Sequence, residues 1–401
     1  MTSPVDDVVQ RLRSAGETAP RHGRDPVNLP LIRNWLEAVG DRNPLYERES
    51  LAPPAMIQVW TMRGLSPREP DPLQVISSAL DDAGFPNVVA TDSEQTYHRY
   101  LRVGESISVR SRLESVIGPK RTSLGEGWFV TTNSTWFSRD EPVAEMRFRI
   151  LKYRSTSGGS PPASPWQPVV TADTAFFWDG LASGELRIQR CGECGELRHP
   201  PGPACPACGA LKQEHIVASG AGTVHSLVVH HHPPIPGRRA PYTVGLIDLA
   251  EGVRMVGEVC GPRPIEIGDA VTAVIGNGLP SWRLDLPALT PWSIEVTPTL
   301  IISTALATRD FQDVHHDRDA AVRRGGKDIF LNILATTGLV QRYVTDRSDA
   351  PVKSIAIRLG TPCFAYDTLT FTGDLLPGGR IAVTGRTSSG THVTGTVTVA
   401  S

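Results

Sequence analysis

The chain has 401 residues, with 40 lysines and arginines against 42 acids and a formal net charge of −2. That length allows several domains with cores of their own, and the balanced charge leaves no basic footprint for nucleic acid. No run of 18 apolar residues is available to span a bilayer, and Met1-Thr-Ser-Pro-Val-Asp-Asp lacks the basic-then-apolar order of a signal peptide, so a cytoplasmic protein without a membrane partner is expected.

After a polar lead, Leu31-Ile-Arg-Asn-Trp35-Leu-Glu-Ala-Val39 has the apolar spacing of an amphipathic helix, which delivers the chain to Gly40-Asp41-Arg-Asn-Pro44-Leu-Tyr46. Pro53-Pro54 suit a helix start, and Ala55-Met-Ile-Gln-Val-Trp60 reads as a buried helix for a sheet to wrap. A further helix, Leu73 to Ala83, is read as an insertion. Strands are expected at Glu94–Tyr100, Ser106–Val116, Gly127–Ser138 and Val143–Tyr153, several of them alternating apolar with polar residues as half-buried antiparallel strands do.

Small, polar, Pro- and Gly-rich residues over 155–165 mark a linker. A short aromatic helix, Thr174–Leu181, precedes Cys191-Gly-Glu-Cys194 and, ten residues later, Cys205-Pro-Ala-Cys208. Two thiolate pairs on tight turns close a tetrahedral site with no open position, which implies a structural ion: zinc, with iron the alternative. Cysteines so paired suit a reducing compartment better than a disulfide framework. Short strands from Gly222 to about Ile275 suggest a small β domain. His230-His-His232 falls on a strand pattern, where three successive side chains cannot face one ion. Cys260 and Cys363, each alone in an apolar strand pattern, are expected as buried small hydrophobes.

From about Ser293 the first pattern returns: a strand over Leu300–Ala305, an acidic turn, a helix over Phe330–Val344, then alternating strands at Val352–Leu359, Thr368–Gly373, Arg380–Thr387 and His392–Val399. The turn, Ala307-Thr-Arg-Asp310-Phe-Gln-Asp-Val-His315, sets an acid and an imidazole five residues apart. Asp41 and Tyr46 hold the same spacing without a histidine, so one site reads as competent and its sibling as disarmed. An internal duplication around a β insert follows. The domains are expected at 1–154, 166–292 and 293–401, joined by the linker.

The Asp310/His315 spacing and Asp41-Arg-Asn-Pro44 resemble the MaoC-like hot-dog hydratases. Asp313-Val-His-His-Asp317, Gly326–Asn332, Ser354–Gly360 and Thr391–Val397 resemble the catalytic subunit of the actinobacterial steroid side-chain enoyl-CoA hydratases. Ala52–Met56, Glu94–Tyr100, Gly125–Thr132 and Phe148–Tyr153 resemble their non-catalytic partner. Thr174–Trp292, with Thr223-Val-His-Ser226 and Pro241-Tyr-Thr-Val244, resembles zinc-ribbon/OB-fold acyl-CoA-associated proteins that dock onto thiolase-like enzymes. The resemblance implies an α+β chain in which two hot-dog domains flank a zinc ribbon and an OB barrel. It also implies hydration of a steroid side-chain 2-enoyl-CoA, with coenzyme A as part of the substrate, a thiolase-fold aldolase as partner for retro-aldol cleavage, and a homodimer.

Asp310 is then the base that polarises water and His315 its orienting partner. The N–H donor for the enolate falls near Ile333, where related enzymes usually have glycine. Arg323, Arg324 and Lys327 are candidates for the CoA phosphates, a solvated charged turn being the other reading. The segment 67–87 is expected to loosen the space around the wrapped helix for a polycyclic acyl group. Two alternatives stay open: a non-catalytic activator of an aldolase, and a hydratase of ordinary fatty enoyl-CoAs.

Overall fold

A computed structural model describes residues 4–65, 71–122, 124–155, 169–233, 240–276, 279–348 and 350–400. The chain divides into two units, Met1–Gly159 with Ala288–Ser401, and Ser160–Pro287. Apart from Ser155, the linker expected over 155–165 lies outside the described residues.

The first unit opens with α1 (Pro4–Ala15), β1 (Arg21–His22), α2 (Leu29–Val39), α3 (Leu45–Arg48) and α4 (Pro72–Asp82), then β2 (Asn87–Tyr97), β3 (Ile107–Thr122), β4 (Gly125–Ser138) and β5 (Glu141–Arg154). Asn28 caps α2 by accepting the Leu31 N–H, and Ile32, Trp35, Leu36 and Val39 form its buried stripe at helical spacing. Gly40 ends it at φ 68°, a left-handed conformation that favours glycine.

The helix expected over Ala55–Trp60 is instead two single 3-10 turns, Pro54–Met56 and Val59–Thr61. Its backbone and neighbours are held from outside: the Ala55 N–H donates to Gln341 Oε1 at 2.9 Å, and Arg21 donates to the Thr61 carbonyl. Tertiary partners therefore replace the i→i−4 ladder that so short a segment forms poorly. Helix α4 packs beside this region. Ile76 and Leu80, both fully buried, pack with Val5, Phe85, Leu113, Val130 and Ile150. Val130 shares its face of β4 with Trp136, so α4 covers one stretch of the wrapped face and the 3-10 turns cover the next.

The second unit holds α5 (Ala175–Ala182), β6 (Arg187–Cys191), β7 (Leu197–Arg198) and β8 (Gln213–Val217), the strands ordered β7-β6-β8. Strands β9 (Ala221–His230), β10 (Tyr242–Leu249), β11 (Arg254–Cys260), β12 (Ala270–Gly276) and β13 (Leu279–Leu284) close a barrel in the order β10-β11-β13-β12-β9. Only the β11–β13 pair in that barrel is parallel, which gives the small Greek-key closure of an OB-fold. Trp282 fills its core, and Gly257 leaves the room: a Cβ there would lie 2.2 Å from the indole.

Back in the first unit, β14 (Ala288–Glu295) spans the junction expected at 292/293 and pairs with a strand of the C-terminal half. Helices α6 (Pro298–Ala307), α7 (Arg318–Arg323) and α8 (Ile333–Thr345) precede β15 (Val352–Leu359), β16 (Thr368–Leu376), β17 (Arg380–Thr387) and β18 (Gly390–Val399). The strand expected at Leu300–Ala305 is thus helix. A short apolar run is ambiguous by periodicity. Here the ends decide: Thr297 caps α6 through the Leu300 N–H, and Pro298 follows the cap.

The two halves share one sheet, ordered β1-β3-β4-β5-β2-β15-β18-β17-β16-β14, with antiparallel β2 and β15 at the seam. Helix α8 is buried over most of its circumference. Gly338 lets Trp35 of α2 approach: a Cβ there would lie 2.8 Å from the ring. This is a double hot-dog with one long central helix, the first half having short turns in the corresponding place.

Candidate functional site

Asp310 follows α6, its N–H donating to the Ala305 carbonyl at 3.0 Å. His315 ends the 3-10 turn Asp313–His315. Asp310 is 7 % and His315 5 % exposed, and Oδ2 of the acid lies 3.6 Å from Nε2 of the ring. That is too long for a direct hydrogen bond and short enough for one water to touch both. On the ring's other side Nδ1 lies 2.8 Å from the Phe330 carbonyl, which accepts its N–H, so in the neutral imidazole Nε2 is left as an acceptor facing Asp310. Phe330 also meets the imidazole edge-on, with centroids 5.0 Å apart.

The start of α8 adjoins this pair. Asn332 caps the helix, its Oδ1 accepting the Ala335 N–H at 2.6 Å, and its Nδ2 donates to Thr308 Oγ1 at 3.1 Å. Ile333, the expected donor, is the first helical residue, where an N–H has no intrahelical partner. Of the candidate CoA contacts, Arg324 is paired with Asp313 at 2.6 Å, and Lys327 with Asp367 at 3.2 Å while lying over the Phe364 ring. Arg323 ends α7 as an exposed residue.

The sibling site is built alike up to a point. The Asp41 N–H donates to the Leu36 carbonyl, five residues back as in Asp310, and Asp41 Oδ1 accepts the Asn43 N–H at 2.9 Å. Burial pushes the Asp41 carboxyl above its usual range. Tyr46 is fully buried, and burial likewise raises its phenol. Its oxygen accepts from Gln341 Nε2 of α8 at 3.0 Å, and the Gln341 carbonyl oxygen takes the Ala55 N–H. Gln341 therefore bridges the tyrosine and the start of the 3-10 turn. No local pattern reveals this, because the partners lie 295 and 286 residues away.

In the second unit Sγ of Cys191, Cys194, Cys205 and Cys208 all lie within 4.8 Å of one another, with Cys191–Cys208 and Cys194–Cys205 each 3.6 Å apart. Four thiolates about 2.3 Å from a tetrahedral zinc stand about 3.8 Å apart, so the cage fits that ion. The N–H groups of Cys194 and Glu193 turn toward Cys191 Sγ, at 3.5 and 3.4 Å, and hold that thiol below its ordinary range, while the neighbouring thiols raise Cys194 and Cys208. Phe177 is buried in the unit's own core, with Phe176 and Trp178 packed against it. His230 is occupied with the Pro233 carbonyl and stacks on Tyr242. Cys363 is fully buried and pushed up to about 12 by that burial. Cys260 departs from expectation: Val259 points into the barrel, so its neighbour faces out and is exposed.

His392, absent from the expected site, is buried with its ring nitrogens near Thr336 Oγ1 (3.0 Å) and the Thr361 carbonyl (2.9 Å), and burial lowers its pKa. It is a fastened core histidine. Among the described residues, no helix is long and apolar enough to cross a membrane.

Three family models match the chain. Residues 15–146 match "FAS1-like, dehydratase domain region", 178–212 match "ChsH2, rubredoxin-like zinc ribbon domain", and 215–276 match "ChsH2, C-terminal OB-fold domain". Over 304 residues, 70 % of this chain and 96 % of the relative, it is 47 % identical to the 3-oxo-4,17-pregnadiene-20-carboxyl-CoA hydratase alpha subunit of Mycobacterium tuberculosis. Over 106 residues, 25 % of this chain and 82 % of the relative, it is 60 % identical to the beta subunit from the same organism. The MaoC-like dehydratase from Phytophthora Capsici, 13 % identical, aligns over 98 % of both chains with a TM-score of 0.53 and shows the shared fold.

Proposed function

This chain belongs to the family of the 3-oxo-4,17-pregnadiene-20-carboxyl-CoA hydratase alpha and beta subunits, and from that premise we propose that it adds water to a steroid side-chain 2-enoyl-CoA, with the two kinds of subunit fused in one polypeptide. The observation that carries the reading is the buried Asp310/His315 pair, whose facing carboxylate oxygen and, in the neutral imidazole, ring nitrogen stand 3.6 Å apart, a separation that one water can bridge. Held by two acceptors, the water turns a lone pair away from the protein, toward the β carbon of the enoyl thioester. As its oxygen bonds there, the π pair moves onto the thioester oxygen. Asp310 takes the water's proton with His315 sharing the traffic, and the α carbon receives a proton as the enolate collapses, giving a β-hydroxyacyl-CoA.

The enolate oxygen calls for fixed donors, and the N–H of Ile333 at the start of α8 is the proposed one. Its side chain replaces the usual glycine without removing the N–H. Arg323 is the proposed first contact for CoA phosphate, with Arg324 and Lys327 already paired to acids. We assign the ribbon/OB unit to docking a thiolase-fold aldolase that cleaves the product, and the chain to a homodimer. The ChsH2-type domain matches support the first assignment. The four cysteines hold zinc as a structural clamp for the ribbon.

The test is hydration of 3-oxo-4,17-pregnadiene-20-carboxyl-CoA and of a straight-chain enoyl-CoA by the purified chain, with and without a thiolase-fold aldolase. Preference for the steroid thioester, with cleavage only when the aldolase is present, is the expected result. Activity on neither thioester would reduce the chain to a scaffold, and preference for the straight chain would make it a fatty enoyl-CoA hydratase. Cys208→Ser should release the metal and unfold the ribbon, since structural zinc contributes roughly 10–16 kcal/mol of apparent binding energy in small zinc modules. Elemental analysis reads the loss, and hydratase activity should persist.

A further inference from the structure

We propose that Asn332 is a positioning residue for the hydration, a clamp that sets the distance between the Asp310 carboxylate and the N–H donors opening α8. The inference rests on the hydratase reading above and adds a residue that contacts neither the water nor the acyl group.

An N-cap needs only an acceptor oxygen, which serine or aspartate supplies as well as asparagine. The amide nitrogen of Asn332 has another partner, Thr308 Oγ1 at 3.1 Å. Thr308 is fully buried, and its hydroxyl lies 2.7 Å from the Thr304 carbonyl one turn back in α6, to which it donates. The lone pair left on Oγ1 therefore requires a donor, which an amide provides and a carboxylate does not. This contact ties the end of α6, two residues before Asp310, to the N-cap of α8.

His315 is held by the same short segment, since the Phe330 carbonyl that accepts its Nδ1–H lies two residues before Asn332. That segment is itself anchored. Phe330 bridges to Phe364, the Leu331 N–H donates to the Cys363 carbonyl at 3.0 Å, and the Ala365 N–H donates to the Ile329 carbonyl at 3.0 Å. Base, imidazole and helix N-terminus are thus referred to one fixed tripeptide, Phe330–Asn332.

The disarmed half supplies an independent observation. Counting back from the acid, Thr308 corresponds to Val39, nearly the same shape without the hydroxyl. The 3-10 turn that stands where α8 would be has Pro53 at its cap and no side-chain cap bond. The clamp is present where the acid faces an imidazole and missing where it does not.

Thr308→Val and Asn332→Ser, the second retaining a capping oxygen, separate the clamp from the cap. Each should lower kcat for the enoyl-CoA substrate by roughly 10- to 100-fold, the scale expected for sub-ångström to ångström misplacement of reacting groups, with KM within about twofold. Thr308→Ser should return kcat to within about threefold of the parent, and the double variant should be no slower than the worse single. Turnover near the parent value in Thr308→Val or Asn332→Ser, or no rescue by serine at 308, would overturn the clamp. If either single variant does not fold, the other and Thr308→Ser decide the question through the kcat-against-KM split. No hydration by the parent chain would instead sink the hydratase reading itself, and full activity in Asp310→Asn and His315→Ala would move its site elsewhere.

Discussion

Asp310 and Asp41 sit in matching cages, each donating its N–H to the carbonyl five residues earlier. What differs lies one turn further on. At Asp310 the neighbouring imidazole is fastened through Nδ1 and keeps Nε2 turned to the acid; at Asp41 the neighbouring phenol is tied to Gln341, which also takes up the Ala55 N–H. Helix α8 touches both sites, opening beside the first with an Ile333 N–H that has no intrahelical partner and reaching the second with the Gln341 side chain, which bonds Tyr46 and the Ala55 N–H. On the proposed reading, the two halves differ less in the acid each keeps than in the hydrogen bonds its neighbour already makes.

The largest expected effect separates the two acids. Asp310→Asn and His315→Ala should each lower hydratase turnover by roughly 10²–10⁴-fold, the usual contribution of a positioned acid/base group, while Asp41→Asn and Tyr46→Phe cost only a few-fold. Equal losses at both sites, measured on the same enoyl-CoA, would break the comparison.

Next in size is the bridge. Gln341→Ala strands the Tyr46 hydroxyl and the Ala55 N–H in the core, where each unmet group costs about 1–3 kcal/mol. Urea unfolding should show the loss, with turnover at Asp310 reduced far less than by His315→Ala.

A smaller effect depends on pH. Asp41 has a carboxyl pKa raised by burial, so the folded state favours its neutral form: the stability tied to it is present below the ordinary value of 3.8 and lost as pH rises through the raised one. Asp41→Asn should accordingly raise the melting temperature near pH 7, by a margin that shrinks as the pH falls toward 4. A constant margin across that range would show that Asp41 is not the titrating group.

The smallest effect is a null. Tyr46→His placed in the His315→Ala background should leave hydration unrestored, because Gln341 still faces position 46. Recovery of turnover would mean that the first half was disarmed by one substitution and not also sealed.

Much of this was legible in the chain. The Asp310/His315 pair, the cysteine cage and the α4 helix follow from local spacing, as does the period-2 alternation of most strands. The misreadings fell on short apolar runs. Leu300–Ala305 became helix because a capping threonine and a proline precede it, while Ala55–Trp60 failed to become one because Gln341 and Arg21 satisfy its surroundings from afar. Cys260 was misplaced by one position in a two-residue alternation, enough to turn a buried thiol into an exposed one.

By itself, then, the sequence determined which chemistry is available: an acid and an imidazole one turn apart, four thiols in two tight pairs, and a second acid with no imidazole. Such features are local, because turns and short loops bring together residues that are near in the chain. Tertiary structure decided what the neighbour of each acid is bonded to, His315 to the Phe330 carbonyl and Tyr46 to Gln341 across 295 residues. It also decided how Thr308 and Asn332, 24 residues apart, meet. Hydrogen bonds of that range depend on where a packed helix begins and ends in three dimensions, which no periodicity records.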